Sequence, residues 1–203
     1  MKNIIKIALL LCIASMAFAV YGQNSRTTDE GVVINGIRWA TRNVDKPGTF
    51  TEKPEDAGMF YQFNHKDGWS STDPLVNSDG GSEWNRSIMG IGWSQENNPC
   101  PCGWRVPTKK EFNLLVDSNN SFWSELNGVS GRFFGSSESP IFLPASGLRD
   151  GRNGSLHQVG MTGTYWSSSP MGHFAYVLCF GKKVSADNNF IRSLGFSVRC
   201  VAE

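Results

Sequence analysis

Thr108-Lys109-Lys110-Glu111-Phe112-Asn113-Leu114-Leu115-Val116 carries the clearest helix signature in this chain. Thr108 and Glu111 form a capping box, in which the hydroxyl accepts from a first-turn N–H and the carboxylate reaches back to the cap's own N–H. Phe112, Leu115 and Val116 follow at i, i+3 and i+4, the spacing of a buried stripe, and Asp117-Ser118-Asn119-Asn120 ends the run. Downstream the pattern turns to strands: Ile141–Leu143, Thr164–Ser168, His173–Phe180 and Gly195–Val201, the last with Phe196, Val198 and Cys200 on one face. Upstream, Val32–Ile34 and Ile37–Arg42 flank Asn35-Gly36, a hairpin-turn dipeptide. Residues 43–57 contain Pro47, Gly48 and Pro54 and read as loop, and Met59–Phe63 fits helix or strand. From Asn64 to Pro99 the chain is dense in Gly, Ser, Asn and Asp, yet it carries Trp69, Trp84 and Trp93. A loop that long inside a domain is functional or held down by its own large side chains. These signals predict one α+β domain over residues 31–203, with few helices.

Composition narrows the class. The 203 residues are 39% apolar, 12% aromatic and 18% charged, with seven Trp and 22 Gly, which describes a folded chain. Nineteen Lys and Arg against 18 Asp and Glu leave no basic footprint for nucleic acid or an anionic membrane. Residues 1–22 read as a secretory signal peptide. Lys2 and Lys6 precede the apolar run Ile7–Val20, and the small residues that follow predict a mature N-terminus between Val20 and Gln23. Residues 23–30 read as a flexible lead. The apolar run is shorter than the ~20 residues of a membrane span, and bulky Leu9 to Leu11 before Cys12 speak against lipidation. An exported protein is expected, at the cell surface, in the periplasm or secreted.

Export leaves Cys100, Cys102, Cys179 and Cys200, an even set that reads as two disulfides. Cys100 and Cys102 are too close for an unstrained bond, so each should pair with one of the distant two, in either combination. A four-thiolate zinc site would want paired Cys-x-x-Cys knuckles, which are missing. His65, His157 and His173 show no metal-ligand spacing, and no nucleophile elbow, phosphate loop or dinucleotide fingerprint is present. Two loops are rich in oxygen ligands, residues 77–83 and 150–154. Neither follows the alternating spacing of a calcium loop, and Arg152 puts a cation where a ligand belongs, so both read as ordinary turns. Neither metal nor cofactor is expected. Trp39, Trp104 and Trp166, beside strands or the helix start, read as core. Trp69, Trp84 and Trp93, on the long loop, are candidates for stacking on sugars or on a protein partner. Arg149, Asp150 and Asn153 join them as candidate binding residues.

Six ordered motifs add a resemblance. They are Trp39-Ala-Thr-Arg-Asn-Val44, Gly58-Met-Phe-Tyr-Gln62, Cys100-Pro-Cys-Gly-Trp-Arg-Val-Pro-Thr108, Leu143-Pro-Ala-Ser-Gly-Leu-Arg149, Gly163-Thr-Tyr-Trp-Ser-Ser168 and Gly195-Phe-Ser-Val-Arg-Cys-Val201. Together they resemble the Fibrobacter succinogenes major paralogous domain family, found in many exported proteins, over about Val33 to Val201. More distantly the chain is similar to adhesin domains of bacterial collagen-like proteins and to the formylglycine-generating, sulfatase-modifying family. Those relatives imply a C-type-lectin-like fold: a small twisted antiparallel sheet, one or two short helices and long loops. A second helix would have to come from Glu55 to Phe63, where Gly58 is a poor interior residue. The family pattern also implies Cys100–Cys200, which leaves Cys102–Cys179, with the crossed pairing of Cys100–Cys179 and Cys102–Cys200 still open. The function implied is a non-enzymatic surface or envelope module that binds glycan or protein through its Trp-bearing loops. A formylglycine-generating-oxidase-like enzyme using cysteines and copper, and a purely structural subunit of a surface assembly, are the alternatives.

Overall fold

A computed structural model describes residues 26–86, 90–116 and 120–203. The signal-peptide reading of residues 1–22 lies outside these, as does most of the helix-ending run after Val116. The Asn35-Gly36 turn forms as its dipeptide requires, with both residues at positive φ (50° and 81°), and joins strands β1 (Val32–Ile34) and β2 (Ile37–Trp39). Strand β14 (Val201–Ala202) pairs with β2 on one side and with β5 (Trp104–Arg105) on the other, so the two ends of the domain share one four-stranded sheet. Against it packs helix α1 (Lys109–Val116). Its capping box is closed in both directions: the Thr108 amide donates to Glu111 at 2.7 Å, and the Glu111 amide donates to the Thr108 hydroxyl at 3.3 Å. Phe112 and Leu115 are fully buried, and Phe112 stacks on Trp39 at 5.4 Å.

The remaining architecture corrects the α+β, C-type-lectin-like expectation. The protein is mostly β, about 38% strand and 6% helix, and α1 is the one α-helix among the described residues. Instead of one twisted sheet there are several small antiparallel ones. Besides the first, β6 (Ser121–Leu126), β7 (Val129–Phe134) and β8 (Ile141–Pro144) form one three-stranded sheet. A second contains β11 (Gly163–Met171), β12 (Phe174–Phe180) and β13 (Val184–Ile191). Two strand pairs complete the set: β3 (Phe60–Tyr61) with β4 (Gly68–Trp69), and β9 (Leu148–Arg149) with β10 (Leu156–His157).

The cause of the correction is local. The β6–β7 hairpin turns on Asn127-Gly128, again at φ 50° and 81°, the same signal as the first hairpin in a region the strand reading passed over. A second helix does not form at Glu55–Phe63. Gly58 sits there at φ 69°, where a Cβ would lie 2.2 Å from the Val44 carbonyl oxygen, so the chain is held open by backbone contact. The expected lead is fastened from Arg26 onward. Asp29 accepts from the Gly31 and Thr41 amides, the Thr41 hydroxyl and Arg42 Nε.

Segment Gly195–Val201 is only partly a strand. Phe196, Val198 and Cys200 are buried, but so are Ser197 and Arg199, because the segment threads between other elements by single bridges to Tyr61, Tyr165 and Arg149. Among the described residues no ion pair is formed by Arg199. Its guanidinium donates to Asn43 Oδ1 and to the carbonyls of Ala40 and Phe142, and burial pulls its pKa down to about 10.

Candidate functional site

Arg149 stands on β9 with no accessible surface. Its Nε donates to the Ser70 carbonyl at 2.8 Å and Nη2 to the Thr72 carbonyl at 2.7 Å and Ser70 Oγ at 3.1 Å. Nη1 donates to the Gly154 carbonyl at 2.7 Å and approaches Asp73 at 3.4 Å. A planar fork with this many donors suits irregular backbone, whose carbonyls no ladder satisfies. Arg149 therefore ties residues 70–73 to the 150–154 turn. These hydrogen bonds are all to the protein itself, and its side chain has no accessible surface.

The tryptophans are spent in the same way. Trp69 lies in β4 and is buried. Trp84, half-buried, packs on it with ring centroids 4.9 Å apart, donates Nε1–H to the Gly151 carbonyl at 3.2 Å, and lies so close to Gly154 that a Cβ there would fall 2.7 Å from its ring. Trp93, also half-buried, sets its edge on Phe63 at 5.0 Å and donates to the Asn97 carbonyl at 3.0 Å. Trp69 is thus buried, and Trp84 and Trp93 each spend one ring contact and their indole N–H on the protein itself, which orders the long loop. Asp150 Oδ1 accepts from the Arg152 amide, and Asn153 Oδ1 from the Ser155 amide and hydroxyl. Asn77 Oδ1 likewise holds the Asp79 and Gly81 amides. These oxygens close turns. Among the described residues no three His, Cys, Asp or Glu side chains gather into a cation site.

Cys100 and Cys200 are bonded, Cα to Cα 6.1 Å, inside a cluster with Trp104, Val106 and Val198. Cys102 and Cys179 are free thiols, which corrects the second pairing. Cys102 lies exposed on the turn after Pro101, whereas Cys179 is in the middle strand β12, packed against the separate cluster of Phe63, Trp166 and Phe196. Burial pushes the Cys179 thiol up, and the Thr164 hydroxyl at 3.9 Å only partly offsets it. An activated thiolate needs the opposite shift.

The surface also carries a cleft of about 700 Å³, lined by Arg86, Gly90, Ile91, Pro170, His173 and Arg192. Arg192 is its wall and its fastening. It donates to the carbonyls of Phe174, Gly90 and Ile91, and its guanidinium lies 4.7 Å from the Phe63 ring centroid. Ile91 at the rim is 92% exposed, and Met171, Phe174 and Ile191, cross-strand neighbours at the end of the β11–β12–β13 sheet, stay nearly half exposed. Sequence reading missed this cleft. Its only signal is that the sheet-end apolar residues have no partner in the period-2 pattern. Comparison of the chain with protein-family models, with curated proteins and with solved structures finds no match.

Proposed function

We propose that the chain is an exported, non-enzymatic surface or envelope module, as its resemblance to the Fibrobacter succinogenes major paralogous domain family implies. Its partner is a protein, bound at the Ile91–Arg192 cleft. The carrying observation is Ile91, 92% exposed, at the rim of a polar cleft bearing Arg86, His173 and Arg192, the last two next in the chain to a sheet end where Met171, Phe174 and Ile191 stay nearly half exposed. Apolar patches rimmed by polar groups mark interaction surfaces. A protein fits better than a glycan because stacking on sugar needs a flat ring, and the most exposed residue at the cleft's rim, Ile91, is aliphatic. Export is supported by the reading of residues 1–22, and among the described residues no helix is long and apolar enough to cross a membrane. The test is an array of glycans and matrix proteins probed with the purified protein and with Ile91→Asp. Binding to protein spots that Ile91→Asp abolishes supports the proposal. Binding to glycan spots, or binding that Ile91→Asp leaves unchanged, overturns the assignment of partner or of surface.

A further inference from the structure

Strand β6, Ser121-Phe-Trp-Ser-Glu-Leu126, is an edge: its sheet runs β6–β7–β8, and among the described residues β7 is its only strand neighbour. The amide of Gly135 donates to the carbonyl of Asn120, which sets the alternation of the ladder. Phe122, Ser124 and Leu126 turn their backbone groups toward β7, so Ser121, Trp123 and Glu125 turn theirs outward. Natural edges of this kind are blunted with Lys, Pro or a covering element. Here there is no Lys and no Pro, Phe122 is 54% exposed and Trp123 39% exposed. The edge strand β13 is managed differently, since α1 packs against it and Lys109 reaches its Asp187 at 2.9 Å.

We infer that β6 pairs with β6 of a second copy of this chain, antiparallel about a two-fold axis at Trp123, making a continuous six-stranded sheet. The register follows from the outward set. Trp123 meets Trp123 of the second copy, and Ser121 meets its Glu125, all as hydrogen-bonded pairs. The charges fit that register. Arg132 lies across β6 with Nε on Ser121 Oγ at 3.1 Å and Nη2 on the Ser121 carbonyl at 3.2 Å. The side chain facing Ser121 from the second copy is therefore a carboxylate arriving beside a guanidinium, twice by symmetry. On the opposite face Phe122, already stacked on Phe133 at 5.2 Å, gains Leu126 of the second copy as its diagonal neighbour. A shift by one residue would direct β7-facing groups outward, and a shift by two would place Glu125 against Trp123, losing the charge pairing.

Sedimentation of the purified protein tests this directly: the mass should be that of two chains at micromolar concentration. Glu125→Pro removes an outward N–H that the β6–β7 ladder does not use, and a charge, so it should raise the dimer dissociation constant by at least about tenfold. Val33→Lys, an exposed change on β1, should leave the dissociation constant alone. For the case that Glu125→Pro does not fold, Trp123→Cys in a Cys102→Ser background gives a second route. Paired Cα atoms about 5.5 Å apart are within disulfide reach, so mild oxidation should link two chains through residue 123. A monomeric wild type, a dimer indifferent to Glu125→Pro, or failure of Trp123→Cys to cross-link overturns the inference.

Discussion

The β11–β12–β13 sheet and the loop from Asn64 to Pro99 both enclose tryptophan, and they hold it by opposite means. In the sheet the ladder satisfies the backbone, so Tyr165 and Trp166 serve as core, with Trp166 packed on Phe63 and Phe196. In the loop few backbone groups meet one another across strands, and side chains do the satisfying. Arg149 takes the carbonyls of Ser70 and Thr72, Arg192 those of Gly90 and Ile91, and Gln62 those of Asn85 and Ser193. A ladder distributes its stability over many interchangeable bonds. A stapled loop concentrates it in a few residues, so single substitutions there should be both costly and local.

The sharpest test of that contrast is Arg149→Met. It leaves the buried Gly154 carbonyl and the partly buried Ser70 and Thr72 carbonyls without their donor, an expected loss of about 3–5 kcal/mol in urea unfolding. Arg149→Lys should recover little of it, because an ammonium cannot span the fork. Amide exchange should accelerate in residues 70–86 before β12. If β12 loses protection in step with the loop, the two regions are one cooperative unit and the contrast is broken.

The disulfide bears on the boundary between the regions. Cys100 follows the long loop and Cys200 immediately precedes the last strand, a sequence separation of 100, so removing both cysteines should cost about 2–5 kcal/mol. Cys102→Ser should be silent in the same thermal melt, since that thiol is exposed and unbonded. A non-reducing peptide map that links Cys102 to Cys179 would reverse this assignment.

A third, smaller effect is expected at Trp84→Ala. Its ring covers Trp69 and Gly154, and it is only half-buried, so about 2 kcal/mol should be lost, with Trp69 fluorescence shifting to the red. An unchanged Trp69 spectrum would mean that the pair is not a clasp.

Legibility followed the same division. The capping box, both ends of the Asn35-Gly36 hairpin and the core assignments of Trp39 and Trp166 were readable because each rests on neighbours in sequence. The Asn127-Gly128 hairpin was equally readable by that rule, with Val129 and Leu126 flanking the turn, but its polar Ser121 and Ser124 positions masked the alternation. The staples were not readable. The Ser70 and Thr72 carbonyls lie 79 and 77 residues from Arg149, and nothing in a local pattern separates an arginine that will be buried against backbone from one that will meet a ligand. The same holds for the loop tryptophans, whose partners include glycines 70 residues downstream. The resemblance-based pairing of Cys100 with Cys200 agrees with the bonded pair, and the bridge inferred from leftover cysteines does not form.

The smallest effect concerns the helix start, where a local signal and a tertiary contact share one carboxylate. Burial alone would raise the Glu111 carboxyl. Hydrogen bonds from Arg105, at 2.6 and 2.9 Å, and from the Thr108 amide and hydroxyl outweigh it and hold the group below the usual carboxylate range. A group whose folded pKa lies below its unfolded value contributes stability that is complete above the unfolded pKa and is lost as pH falls through the folded one. Wild type should therefore lose part of its stability on acidification below about pH 4.5, the ordinary glutamate range, and Glu111→Gln should show a shallower acid limb while being less stable at neutral pH. Thr108→Ala should cost about 1 kcal/mol at neutral pH, because the Glu111 amide loses its acceptor. Arg105→Met should flatten the acid limb much as Glu111→Gln does, if the guanidinium is the chief partner of the carboxylate. An acid limb that none of the three variants alters would mean that the cap is held by packing of Phe112 and Leu115 alone, and the helix would then belong with the ladder rather than with the staples.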